Sequence, residues 1–119
     1  MKGGRNTTIG QWGETQACLF LKRHGFTVVE RNFHGSMGEI DIVATKANDY
    51  YFIEVKTRQD SALATDLAVT KPKRHKLEKT IKYYCYKRGI VDGAFILASL
   101  IVFVRASTGT VQLRFAVLY

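Results

Sequence analysis

Apolar residues recur at helical spacing near the start of the chain. Gly13, Ala17, Phe20 and Leu21, with Trp12 and Leu19 on flanking positions, predict a helix capped by Thr7 or Thr8 and running to about His24, with Gly25 at its C′ position. The period then shortens to two. Phe26 to Phe33 reads as a strand, Glu39 to Ala44 alternates as a second, and Tyr51 to Arg58, rich in β-branched and aromatic types, makes a third. Lys46-Ala47-Asn48-Asp49 has turn chemistry, so the second and third strands form a hairpin. Residues 59–70 predict a loop. Pro72 sits in the first turn of a second helix, where its missing N–H costs little; Leu77, Ile81, Tyr84 and Cys85 give that helix a core stripe, and Gly89 ends it. Gly93 to Val104 and Thr110 to Tyr119 predict two final strands around Ser107-Thr108-Gly109. The order αβββαββ predicts an α/β chain with a mixed β-sheet flanked by helices.

Within the hairpin, polar residues interrupt strands that are otherwise apolar. Alternation puts Glu54 and Lys56 on one face of their strand and Ile53 and Val55 on the other; in the preceding strand Glu39 and Asp41 share a face, with Ile40 and Ile42 opposite. A turn centred between Ala47 and Asn48 sets residues 41 and 54 directly opposite, where cross-strand Cβ atoms stand about 5 Å apart. Two carboxylates so placed repel each other, and a divalent cation with oxygen ligands offsets that repulsion; Mg²⁺ takes one or two protein carboxylates and completes its shell with water and phosphate. Lys56 can then hold a phosphate oxygen or orient water, or it can simply pair with Glu54 or Asp41 in an ordinary surface hairpin. Glu14, on the same side of the first helix as Cys18 and Leu21, borders the core, where a carboxylate is costly unless paired or metal-linked; it can also serve the helix dipole.

Charge sharpens this pattern. The 119 residues carry 18 Lys and Arg against 10 Asp and Glu, a formal net charge of +8. The excess is local. Lys71, Lys73, Arg74, Lys76, Lys79, Lys82, Lys87 and Arg88 face only Glu78 in the second helix, whereas Glu39, Asp41, Asp49, Glu54 and Asp60 outnumber Lys46, Lys56 and Arg58 between residues 35 and 60. A basic arm beside an acidic centre suits an enzyme that grips phosphates and holds a cation; a solvated basic helix on an ordinary domain fits the same charges. At 46% hydrophobic residues with one proline, disorder is excluded, and the length fits one domain, residues 1–119, with a flexible terminus over 1–8. The longest apolar stretch, Ala94 to Val104, is far short of the roughly 20 residues that span a bilayer, and the N-terminus lacks the apolar run of a signal peptide. Cys18 and Cys85 match neither a metal spacing nor a disulfide framework, so the expected location is the cytoplasm, with no membrane partner. His24, His34 and His75 have no spacing that suggests ligation.

Taken together, Glu14, Asp41 and Glu54-Val55-Lys56 resemble the PD-(D/E)xK nuclease superfamily, whose sites comprise a helix glutamate, a strand aspartate and a following (D/E)-x-K. More narrowly, Gly13-Glu14-x-x-Ala17, Gly25-Phe26, Arg31-Asn32-Phe33, Gly38-Glu39-Ile40-Asp41-Ile42 and Phe52-Ile53-Glu54-Val55-Lys56-Thr57-Arg58 resemble the YraN-type family, similar in layout to the archaeal Holliday-junction resolvases. The resemblance runs from about Gly10 to Arg58, continues through Ala68-Val69-Thr70-x-x-Lys73 to Tyr84, and fades beyond. It implies a restriction-endonuclease-like fold, Mg²⁺ or Mn²⁺ on Asp41 and Glu54, Lys56 supporting the attacking water, and Glu14 completing the acidic site.

The expected function is metal-dependent hydrolysis of phosphodiester bonds in DNA, including branched or structured DNA. Arg58, Lys71, Lys73, Arg74 and Lys76 would hold the nucleic acid backbone. Two other readings stand beside it. One is a nuclease-fold protein that binds nucleic acid without cutting. The other is a protein-interaction domain, with the apolar last strand as an edge through which a homodimer could form.

Overall fold

The computed structural model of the chain describes residues 7–59, 71–105 and 107–118. Its elements follow the expected order: α1 (Thr7–Arg23), β1 (Thr27–Gly35), β2 (Gly38–Lys46), β3 (Asp49–Gln59), α2 (Lys71–Arg88), β4 (Phe95–Arg105) and β5 (Thr110–Val117). Of the terminus expected to be flexible over 1–8, residues 1–6 lie outside the described residues, while Thr7 and Thr8 begin α1; of the loop expected over 59–70, Gln59 ends β3 and residues 60–70 lie outside, as do the Thr7 and Thr8 capping side chains and Tyr119. Among the described residues, no helix is long and apolar enough to cross a membrane.

The strands form one sheet in the order β1-β2-β3-β4-β5, with β3 and β4 parallel and every other pair antiparallel. Short turns join β1 to β2 and β2 to β3, while the parallel pair requires a crossover, which carries α2. The strand β4 reads as an apolar run interrupted only by Ser99 because both of its faces are covered: Leu97, Ala98, Leu100, Ile101 and Val102 are all buried.

Each helix covers one face. On one side, Ala17, Cys18 and Leu21 of α1 pack on Ile42, Ala44, Ile53, Ala98, Leu100 and Val102. On the other, Ile81, Tyr84 and Cys85 of α2 pack on Phe33, Ile40, Val43, Phe52 and Leu97, with Leu77 partly buried beside them. The helical stripes are those the spacing predicts, with Leu19 turned to solvent. Both cysteines are free and buried, and burial pushes both thiols up, so they serve as core residues.

The β2–β3 turn has Ala47 at φ 52° and Asn48 at φ 70°, the left-handed pair of a two-residue primed hairpin turn. Alanine is a poor choice for that conformation. Ala47→Asn is expected to stabilise the protein by about 0.5–1 kcal/mol, measured as a higher urea midpoint with an unchanged slope.

One expectation fails. Alternation places Ile40 and Ile42 on the same face, yet Ile40 packs in the α2 cluster and Ile42 in the α1 cluster. The register explains it. Between the pairs Arg31–Ile42 and Phe33–Ile40 the chain passes Asn32, which has a left-handed φ of 55°. The facing residue of β2 is Asp41, and the two strands change face together at that point.

Candidate functional site

Asp41, the residue at this irregularity, faces a groove of about 400 Å³ on the α2 side of the sheet. Residues 37–41, residues 52–55 of β3, Lys73, Lys76, Leu77 and Thr80 of α2, and Leu97 of β4 line it. The register of the hairpin runs from Lys46–Asp49 to Ile42–Ile53, so Asp41 and Glu54 come next, on the opposite positions that the turn predicts. There the backbone ladder is replaced by a side chain: the Val55 N–H donates to Asp41 Oδ2 at 2.8 Å.

Burial raises Asp41 from its ordinary 3.8 to about 7; the Val55 N–H pulls the value down, while the charges of Glu14, Glu39 and Glu54 push it further up. Glu54 is held differently. Its Oε2 meets Lys73 Nζ at 3.3 Å, whereas its Oε1 is buried with no hydrogen-bond partner among the described residues. Ser99, paired with Glu54 on the adjacent strand β4, carries a second buried oxygen, its hydroxyl, without a partner among the described residues. Buried polar oxygens are rarely left unpaired.

An orphaned carboxylate oxygen beside a second, charge-crowded carboxylate is a donor set that a hard cation fits. Among the described residues no three His, Cys, Asp or Glu side chains form a ready-made cage, so a cation on Asp41 and Glu54 would keep much of its water, as Mg²⁺ commonly does.

The remaining predicted residues are distributed around this pair. Glu14 does not line the groove: it sits on α1, only 16% exposed, with Arg31 Nη2 at 3.4 Å, and reaches Asp41 through its charge from the other side of the sheet. Its position depends on a close crossing. A Cβ built on Gly13 would overlap the Thr57 hydroxyl, so α1 lies against β3 at a separation that only glycine permits. Lys56 is half-buried on β3 and is not part of the groove wall. Arg58 is half-buried, with its guanidinium donating to the Thr57 carbonyl at 3.1 Å. Of the basic residues of α2, Lys73 and Lys76 line the groove, Arg74 pairs with Glu78 at 3.3 Å along the helix, and the Lys71 side chain lies outside the described residues.

Three features were not anticipated from sequence: the pairing of Lys73 with Glu54, the place of Arg31 beside Glu14, and Ser99. The signal for Ser99 was a lone hydroxyl inside the apolar run from Phe95 to Val104. His24 Nδ1 lies 2.9 Å from the Phe20 carbonyl, and His34 Nδ1 lies 3.3 Å from Glu39 Oε1.

Among solved structures, the chain is similar to Hjc of Archaeoglobus fulgidus, a Holliday junction resolvase from an archaeal hyperthermophile, with a TM-score of 0.47 and 18% identity, covering 88% of this chain and 72% of that one. A UPF0102 protein of Campylobacter jejuni is 44% identical over 81 residues, 68% of this chain and 71% of that protein. A UPF0102 protein of Clostridium botulinum is 42% identical over 86 residues, 71% of this chain and 70% of the other. The family match extends through the last two strands, past Tyr84, where the motif resemblance fades. With residues 13–118 matching its model, the chain belongs to UPF0102, an uncharacterised protein family.

Proposed function

We propose that this chain is a metal-dependent nuclease of the cytoplasm that hydrolyses phosphodiester bonds in DNA, with Asp41 and Glu54 holding Mg²⁺ or Mn²⁺. The observation that carries the reading is the buried Glu54 Oε1, without a hydrogen-bond partner among the described residues, beside Asp41 in a groove walled by Lys73 and Lys76. When bound, the cation supplies charge neutralisation at the scissile phosphate and a lowered pKa for water. The chain's own residues do the rest. Lys73 and Lys76 take backbone phosphates, which makes binding indifferent to sequence and sensitive to salt. Arg58, Lys71 and Arg74 extend that grip. Lys56 orients the attacking water against the phosphate, and Glu14 completes the acidic set from the α1 side.

The test is incubation of linear, flapped and four-way DNA with Mg²⁺ or Mn²⁺, using the wild type and Glu54→Ala in parallel. Branched substrates are included because the motif set resembles the archaeal Holliday-junction resolvases. Cleavage by the wild type that falls to background in the variant is the expected result. No cleavage of any of these DNAs with either metal would reject it.

One observation favours a second reading. Lys73 already neutralises Glu54 from within the protein, as befits a nucleic-acid-binding protein of nuclease ancestry that does not cut. Tight, salt-sensitive binding without cleavage selects that reading. In either case β5 is the sheet edge along which a second copy would add, with Val111 and Val117 exposed there.

A further inference from the structure

The C-terminal half of α2 buries Thr80, Ile81, Tyr84 and Cys85 and leaves Lys79, Lys82, Tyr83, Tyr86 and Lys87 to solvent. Two of these are large rings outside the core: Tyr86 is 83% exposed and Tyr83 is 42% exposed. Among the described residues, the lysines around them lack counter-charges. The helix has one acid, Glu78, and Arg74 occupies it at 3.3 Å; among the described residues no carboxylate lies within ion-pairing distance of Lys79, Lys82 or Lys87. Lys87 Nζ instead stands 5.8 Å from the centre of the Tyr83 ring.

This face continues the groove. Positions 73, 76, 80, 83 and 87 alternate steps of three and four and so form one stripe on the helix. Lys73, Lys76 and Thr80 line the groove, and Tyr83 follows one turn later, its ring 5.9 Å from that of Phe33 and against the backbone of Gly35. From Lys73 to Lys87 the stripe is about 21 Å long at 1.5 Å per residue.

Lysines alone would suit any polyanion. Exposed rings between them suit a narrower class, because base faces are hidden in a duplex and available only where bases are unpaired; alternating aromatic rings and cations make a stacking platform for single strands. We propose that the C-terminal half of α2 is a second nucleic-acid contact, continuous with the groove, at which Tyr83 and Tyr86 stack unpaired bases while Lys79, Lys82 and Lys87 hold the intervening phosphates. The proposal rests on the nuclease reading and deepens it by naming the substrate class: DNA that presents unpaired nucleotides within about 20 Å of the acidic pair, the reach of the helix stripe.

The test is fluorescence anisotropy in EDTA, where no cleavage intervenes, on a labelled blunt duplex and on the same duplex with a single-stranded overhang. Wild type binds the overhang DNA more tightly. Tyr83→Ala/Tyr86→Ala loses about tenfold or more on the overhang DNA and nothing on the duplex, while Tyr83→Phe/Tyr86→Phe keeps the wild-type preference. Lys79→Gln/Lys82→Gln weakens both substrates and lowers the salt slope by about two. Tyr86→Ala alone, at a fully exposed position, guards against loss of fold and is expected to show the same selectivity at smaller size. Equal losses on both DNAs, or no preference for the overhang in the wild type, overturn the proposal. If the wild type binds DNA but the tyrosine variants bind as it does, this proposal fails alone. If the wild type binds neither DNA at low salt, the nuclease reading fails with it.

Discussion

Asp41→Asn is expected to make the metal-free protein more stable above pH 7 than the wild type, while removing its capacity to bind Mn²⁺. The raised pKa fixes the sign. Below pH 4 the acid is protonated in both the folded and the unfolded chain, and the two proteins have similar stability. Between about pH 4 and pH 7 the unfolded chain releases its proton while the folded chain keeps it, so wild-type stability falls as pH rises. Above about pH 7 the folded protein holds a buried anion and the loss is complete. About three pH units at 1.36 kcal/mol each set a ceiling near 4 kcal/mol, and the new amide must find a partner of its own, so the expected gain at pH 8 is about 2 kcal/mol. Urea melts at pH 5 and pH 8 measure it; a stability difference that does not change between these pH values would reject the account. The same proton competes with the cation. Mn²⁺ affinity of the wild type, followed by calorimetry, is expected to fall about tenfold per unit below pH 7. Mg²⁺ at pH 8 is expected to raise the melting temperature of the wild type and not that of Asp41→Asn.

Gly13→Ala is expected to cost about 2–3 kcal/mol, although alanine is the better helix former by about 1 kcal/mol. The added methyl would overlap the hydroxyl of Thr57, a β-branched side chain with little rotamer freedom in a strand, and α1 would have to lift from β3. Thr57→Ala removes the obstruction. The double variant Gly13→Ala/Thr57→Ala should therefore recover most of the loss, a coupling well above the few tenths expected of independent sites. Additive losses would place the cause elsewhere. The site should register the change as well: Glu14 follows Gly13 directly, so lifting the helix alters the charge that Asp41 experiences.

Much of this arrangement was legible in the sequence because it depends on local periodicity. The helical stripes, the hairpin turn at Ala47-Asn48 and the opposition of Asp41 to Glu54 follow from spacings of three, four and two residues and from turn chemistry. What escaped depends on departures from those periods or on contacts between elements distant in the chain. Ile40 and Ile42 part company because Asn32 in the neighbouring strand takes a left-handed conformation, which a pattern within β2 does not record. Lys73 reaches Glu54 only because the crossover lays α2 over the sheet, and Ser99 meets Glu54 only through the parallel register of β3 and β4. The basic character of α2 was plain; which of its lysines turn inward was not.

The order of the sheet bears on how this groove comes into being during folding. Asp41 and Glu54 belong to consecutive strands closed by a two-residue turn, a loop whose ends meet at small entropic cost. Lys73, Lys76 and Ser99 arrive only when the long connection through α2 returns the chain beside β3. Local contacts are expected to form ahead of distant ones. The two acids therefore meet early in folding, and the late docking of α2 brings Lys73 against Glu54.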